Sequence, residues 1–419
     1  MQTKYDIIAV GGGFAGTAAA IASARMGKSV LLIEKYNCLG GAASFDLVNP
    51  FMKYWIYDKD GQRVYLSRGI FEQILDRLDE LGAIDEKRVC FNEEYLKIVL
   101  NRMCIEAGVD LLFQSYVVGA EAADRQVSSV SVSNVSGITK YYADYFIDAT
   151  GDANLCHICG FPYRLGREPD NATQPMTLSF RMSNVNRDLF EKTKDQINPL
   201  YKQYQSQGKI KNPREDVLIF YTMNRDTLHF NTTRIIKLDP TDARQLTRAE
   251  IEVREQVIEM VDFLKNNFEA FADAILCSTG MQIGVRESRM IIGEKTLTET
   301  DLINCVRSPE GIAACSYKID IHSPDGPGTK IIKFAPDEYY TIPYGCLVPK
   351  NSKNLICAGR CISATHEAQS SLRIMPTCCS MGEAAGVAAA VALDKKSQFC
   401  TLDPGLVRDV LKQNGMVVD

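Results

Sequence analysis

The chain has 419 residues, with 47 Lys and Arg against 52 Asp and Glu for a net charge of -5, and 46% of its residues are apolar. That length suits two or three domains around a sizeable core, and the composition is that of an ordinary globule rather than a disordered or fibrous chain. The acidic balance gives no global positive field for polyphosphate, so no nucleic-acid partner is expected. No apolar run approaches the roughly 18 residues of a membrane span, and Asp6 interrupts the apolar stretch nearest the N-terminus. Neither a membrane nor a secretory signal is therefore expected, and the expected location is cytoplasmic. The 14 cysteines are scattered without short regular spacings, which reads as reduced thiols rather than a disulfide framework.

Tyr5 to Val10 is a short apolar run ending in Gly11-Gly12-Gly13-Phe14-Ala15-Gly16, a strand feeding a G-x-G-x-x-G turn. Gly11 permits the tight turn, Gly13 lets backbone approach a pyrophosphate, and Gly16 lets the following helix pack close to the strand. That helix, Thr17 to Met26, is rich in alanine, and its N-terminus suits phosphate. Ser29 to Ile33 reads as a second parallel strand, followed by Glu34 and Lys35. An acid about 20 residues past the glycines is placed to bind ribose hydroxyls. The turn alone does not separate FAD from NAD, since both present an adenosine diphosphate.

Further on, Arg68 to Leu81 and Glu93 to Glu106 read as amphipathic helices. Val109 to Asp144, with its β-branched alternation, reads as a β-meander inserted before a strand at Phe146-Ile147-Asp148. Cys156-His157-Ile158-Cys159 falls in a helix ending at Gly160, where packing of small apolar thiols is the better reading than a redox or metal pair. Residues 165–345 mix strands, such as Thr227 to Phe230, with a helix near Ala249 to Asn266. After 345, Leu355-Ile356-Cys357 is a strand, and Pro376 starts a thin helix of glycine and alanine.

Five segments together carry a family resemblance: the glycine turn, Cys38-Leu39-Gly40-Gly41-Ala42-Ala43-Ser44, Phe146 to Asp152, Gln282 to Arg289, and Asn354 to Gly386. They resemble the FAD-dependent oxidoreductases of the glutathione-reductase-like superfamily, and within it the branch that includes the flavin module of heterodisulfide reductase. The resemblance implies an α/β fold: a Rossmann-like FAD-binding domain with a parallel sheet and a β-meander insertion (residues 1–160 and 345–405), plus an α+β substrate or cap domain (165–345). FAD is the implied cofactor. Its implied contacts are Gly11, Gly13, Phe14, Ala15 and Gly16 at the first turn, Glu34 and Lys35 after the second strand, and Gly40, Gly41 and Ser44 in the double-glycine loop. Thr150, Gly151 and Asp152 form the chain crossing, and Gly359, Arg360, Pro376 and Thr377 the closing element.

Three residues are candidates for chemistry. His366, in the polar loop Ser363 to Glu367 just after the strand expected to end at the flavin, suits the proton that accompanies a hydride. Arg286 and Arg373 suit a substrate carboxylate or enolate, or else pair with neighbouring Glu287 and Glu367; Arg286 and Arg289 would share a face if helical. His229 and Tyr340 have weaker claims. Cys378 and Cys379, at a helix start, admit a flavin-thiol relay as a lesser alternative. No second G-x-G-x-x-G follows residue 16, so no separate NAD(P)H domain is expected. Oxygen, a quinone, a redox partner protein or transient nicotinamide stay open as electron partners, as does a homo-oligomer. No metal is expected. The leading expectation is hydride transfer between flavin N5 and a small organic substrate, its anionic character open; the alternative is an electron-transfer flavoprotein relaying electrons between protein partners.

Overall fold

A computed structural model describes residues 2–168 and 170–419. The first apolar run forms β1 (Lys4–Val10), and the glycine turn leads into α1 (Phe14–Arg25) and β2 (Val30–Ile33). Strands β3 (Asp110–Leu112), β4 (Gly137–Asp148) and β5 (Leu355–Cys357) complete a parallel sheet in the order β3-β2-β1-β4-β5. The meander strands Tyr116–Ala123 and Gln126–Asn134 run antiparallel along the first half of β4. The last strand of the meander and the strand before Ala149-Thr150-Gly151 are thus one continuous strand, not an insertion followed by a separate element. Its first half carries the hairpin, and its last three residues pair with β5.

α1 starts three residues earlier than the sequence pattern suggests, so Gly16 lies inside it. A Cβ on Gly16 would sit 1.7 Å from the carbonyl oxygen of Gly11, which explains why the helix can leave the strand so steeply. Against α1 packs α4 (Met375–Lys395), preceded by the short α3 (His366–Leu372). Cβ atoms on Gly382 and Gly386 would meet the carbonyl oxygens of Ala15 and Ala19 at 2.0 and 2.2 Å. α4 is the one described helix long and apolar enough to cross a membrane, but 94% of its apolar window is buried in this core.

A second hydrophobic core lies between residues 176 and 283 and includes Leu178, Phe180, Phe230, Val257 and Met260. It fills the space between a four-stranded antiparallel sheet, in the order Ile219–Tyr221, Leu228–Phe230, Phe180–Ser183, Ile275–Thr279, and the helices Arg187–Ser206 and Ala243–Asn267. The first of these helices is not evident in the sequence. Asn186 caps it by accepting from the Leu189 N–H, and Phe190, Ile197 and Tyr201 bury one face, but Pro199 breaks the pattern in mid-helix. Ile291, Leu302, Ile312 and Ile342 join the first core rather than the second.

Candidate active site

The C-terminal ends of the parallel strands open on a cleft enclosing about 1520 Å³ of empty space, its mouth included. Ligands of open α/β sheets bind at this edge. Gly11, Gly13, Phe14 and Ala15 form its floor, with Glu34 and Lys35 on one side and Gly40 and Gly41 on another. Thr150, Gly151, Asp152, Gly359 and Arg360 form the wall from β4 and β5. Leu246, Glu250, Gln282 and Val285 close it from the second unit.

Four expected contact residues stand behind this surface. Gly16 lies inside α1, and the Ser44 hydroxyl donates to Leu39 O (2.8 Å), bracing the turn around Gly40. Pro376 and Thr377 are buried in the first turn of α4, while their neighbours Met375 and Cys378 reach the cleft.

The glycines are shaped for a guest. Added side chains at Gly11 and Gly41 would strike Ala149 O at 2.5 Å and Gly13 Cα at 2.9 Å, so both hold backbone against backbone. Gly13 differs: a Cβ there would meet nothing nearer than Gly41 Cα at 3.8 Å, leaving a slot that opens into the cleft. Gly13 caps α1 without any side-chain bond, which leaves first-turn N–H groups available to an anion. Glu34 is buried and accepts from the N–H groups of Gly12 (2.5 Å) and Tyr36 (2.9 Å); burial pushes its pKa up despite those bonds. Arg360 lies over Gly151 and donates to Asp152 (2.6 Å). Burial opposes the Asp152 charge, but Arg360, Ser288 and Lys35 prevail and hold its carboxyl below the usual value.

The residues considered for chemistry separate. His366 is not in a loop: Thr365 caps α3 through the Ala368 N–H, and His366 is its first residue, 6% exposed. Its Nδ1 meets Glu287 at 2.8 Å, and Glu287 also accepts from the Gln174 N–H (2.9 Å). Neither arginine takes its neighbouring glutamate. Arg286 donates to Pro175 O (2.6 Å), Thr177 (2.7 Å) and Asn231 (3.3 Å), all neutral. Desolvation, then the charge of Arg373, lowers its pKa well below the usual value, yet a guanidinium stays charged. Arg373 lines the cleft, has no ion-pair partner among the described residues, and buries its Nε without an acceptor. The segment bearing Arg286 is not helical, so Arg289 turns elsewhere, to Asp152 O and Asn154. His229 (1% exposed) and Tyr340 (0%) are core residues.

The thiols are structural in this arrangement. Cys156 meets Cys357 Sγ (3.2 Å) rather than Cys159, and burial pushes the Cys156 and Cys378 pKa values up to about 12, so both stay protonated. Asp148 completes a cluster with Cys156 and Cys357, but its carboxylate already accepts from Thr150 and the Cys156 N–H. Tyr36 and Asp46 are cleft residues with no counterpart in the sequence reading, where Gln282 stood only as the start of the arginine segment. Gln282 accepts from the Tyr36 hydroxyl and donates to Asp46 Oδ1 (2.9 Å), linking the two units across the cleft. Burial pushes the Asp46 carboxyl up to about 7.

The sequence profile of the FAD dependent oxidoreductase family matches residues 6–411. The chain belongs to that family. This flavoenzyme is also 27% identical over 143 residues to a digeranylgeranylglycerophospholipid reductase of Methanocella arvoryzae, a stretch covering 31% of the chain and 35% of that relative. The match thus spans about a third of the relative's length. The fold resembles a flavin-dependent brominase with a TM-score of 0.50 at 14% identity, covering 97% of this chain and 83% of that one. A geranylgeranyl bacteriochlorophyll reductase-like protein of Thermoplasma acidophilum aligns over 98% and 83% of the two chains at 12% identity and a TM-score of 0.47. FAD is the cofactor of this flavoenzyme, and enzymes of its family act on small molecules. The open slot at Gly13, the uncapped start of α1 and the buried acid at the end of β2 fit an adenosine diphosphate end.

Proposed function

We propose that the enzyme transfers a hydride between flavin N5 and a small organic anion whose charged group sits between Arg286 and Arg373. One observation carries this reading: neither guanidinium has a carboxylate in ion-pair contact among the described residues; Arg373 lines the cleft, and Arg286 stands behind its surface, bonded only to neutral groups. Enclosing such charges is costly unless they are paired, so an incoming carboxylate would relieve the cost. FAD supplies the two-electron redox chemistry; the chain binds, orients and exchanges protons.

We assign His366 a supporting place in this site. Its Nδ1 pairs with buried Glu287, which holds Gln174, while Gln174 and Gln369 fix the Arg286 carbonyl through hydrogen bonds of 2.9 and 2.8 Å. The residues of the cofactor set that stand behind the cleft surface shape it rather than touch FAD. The proposal includes a cytoplasmic enzyme of the glutathione-reductase-like branch, with a flavin unit of 1–160 and 345–405 and a cap of 165–345. The second core and the cleft residues Leu246, Glu250 and Gln282 support the cap over 176–283, whereas Ile291, Leu302, Ile312 and Ile342 pack with the flavin unit and place its far boundary nearer 285 than 345.

The test is anaerobic bleaching of the bound flavin by hydroxy acids, enoates, amines, sugars and a prenyl phospholipid, the last suggested by the archaeal relative. Anions are expected to bleach and their neutral esters to fail. Arg373→Ala should then weaken the anion by roughly 2 to 5 kcal/mol in KM or Kd while FAD stays bound. Equal bleaching by acid and ester would count against the reading.

A further inference from the structure

We propose that Asp46 is the acid-base residue of the site, exchanging with the substrate the proton that accompanies each hydride. The proposal rests on the hydride-transfer reading above. Asp46 ends the short α2 (Ala42–Phe45) that follows the double-glycine turn, and it lines the cleft while only 5% exposed.

Its surroundings set it apart from other buried acids near the sheet. Glu34 accepts two backbone N–H groups. Asp148 accepts from the Thr150 N–H and hydroxyl and from the Cys156 N–H. Asp152 has Arg360 and Ser288, and Glu287 has His366 and the Gln174 N–H. Each of those carboxylates accepts from at least two partners. Asp46 has one neutral donor, the Gln282 amide on Oδ1, and no cation in ion-pair contact among the described residues. A carboxyl so poorly served is free to change protonation state, which is what a proton carrier requires.

The local fold aims this group. Leu47, immediately after it, is held at φ +54°, a conformation strained for a branched side chain. The Phe45 carbonyl accepts from the Met281 N–H (2.7 Å), and the Phe45 ring lies tilted by 38° against Tyr36, 4.1 Å between centroids. Gly284 lies alongside, where a Cβ would touch Asp46 Cβ at an ordinary 3.5 Å and crowd only Thr177 O, at 3.1 Å. Both units therefore fix the carboxyl where they meet over the cleft. The charged groups facing it are Arg360 after β5, Lys35 after β2 and Asp152 after β4. Burial, the largest influence, together with Asp152, outweighs the Gln282 bond, Arg360 and Lys35, leaving the carboxyl near 7, where both of its states are populated at neutrality.

The step balances. In the oxidative direction the substrate C–H bond breaks and its electron pair passes with the hydrogen to FAD, which is reduced as the substrate is oxidised. The neighbouring O–H or N–H bond breaks, its proton goes to the Asp46 carboxylate, and its electron pair forms the new double bond to carbon. In the reverse direction the carboxylic acid returns that proton.

The experiment uses holoenzyme of wild type, Asp46→Asn and Gln282→Leu. Two quantities are followed from pH 5 to 9: the visible spectrum of the resting oxidised enzyme, and the rate of anaerobic flavin reduction by an anion found in the screen. Wild type should show a midpoint near 7 in both. Asp46→Asn should lose it and slow reduction by roughly 10² to 10⁴. Gln282 donates to the carboxylate and so lowers the pKa; its loss should move the midpoint up by about one pH unit or more. A flat wild-type spectrum, or an Asp46→Asn enzyme that keeps the midpoint, overturns the proposal. If Asp46→Asn fails to hold FAD, an unmoved midpoint in Gln282→Leu overturns it alone. The spectral titration needs no substrate, so a failure of the hydride-transfer reading shows separately, as absence of bleaching.

Discussion

At the scale of single residues, glycines with similar sequence roles do different physical work. Gly16 and Gly11 hold protein against protein, whereas the space beside Gly13 is left for a guest. Gly13→Val is therefore expected to fold with near wild-type circular dichroism and Tm as apoprotein, yet to emerge without bound FAD. Stoichiometric FAD absorbance in that variant would show that the phosphates do not pass Gly13. His366 gives the opposite case. Its replacement by Ala would leave Glu287, 0% exposed, without its side-chain partner, so a loss of about 1 to 3 kcal/mol in urea unfolding is expected, with FAD still bound. The sequence placed His366 in a loop just after β5, but the residue begins α3 and is not among those that line the cleft. Nor did the sequence reveal the partner Glu287, which is 79 residues away and reaches His366 only through tertiary packing.

At the scale of elements, local signals were legible where chain neighbours carry them. The glycine turn, the first two strands and the thin helix α4 all follow from spacing, because each depends on contacts within one strand-turn-helix unit. Elements defined by distant partners were not. The arginine segment around residue 286 takes its extended form from pairing across to Thr177, which forces Arg286 and Arg289 apart. Asp46 carries no motif, and only the chain returning near residue 282 makes its environment unusual. The tightest element contact is α1 against α4, where Gly386 sits under the Ala19 carbonyl and accepts, through its own carbonyl, the Ser23 hydroxyl at 3.0 Å. Gly386→Val should force these helices apart at a cost of at least about 1 to 3 kcal/mol. Thermal denaturation of the apoprotein reads this directly, and an unchanged Tm would mean that the helices slide without cost.

At the scale of the whole molecule, the cleft is a seam. Its floor belongs to the first core, and its cover at Leu246, Glu250 and Gln282 belongs to the unit built around the second. Across the seam run the ion pair of Arg181 with Glu93 and the hydrogen bond from the Met281 N–H to Phe45 O, together with the Asp46 and Gln282 contact. A cofactor filling such a seam stabilises both sides by mass action, about 2.7 kcal/mol when free FAD is at 100 times its Kd. Removing FAD should therefore lower Tm and loosen the cover selectively, since direct contacts alone must then hold the units together. Hydrogen exchange is the measure. Amides of 240–250 and 280–286 should lose protection in apoprotein, while those of β1 and β4, inside the parallel sheet, should keep it. Loss spread evenly over both cores would mean that FAD supports the fold as a single cooperative unit, and the cap would then have no independent freedom to open for substrate.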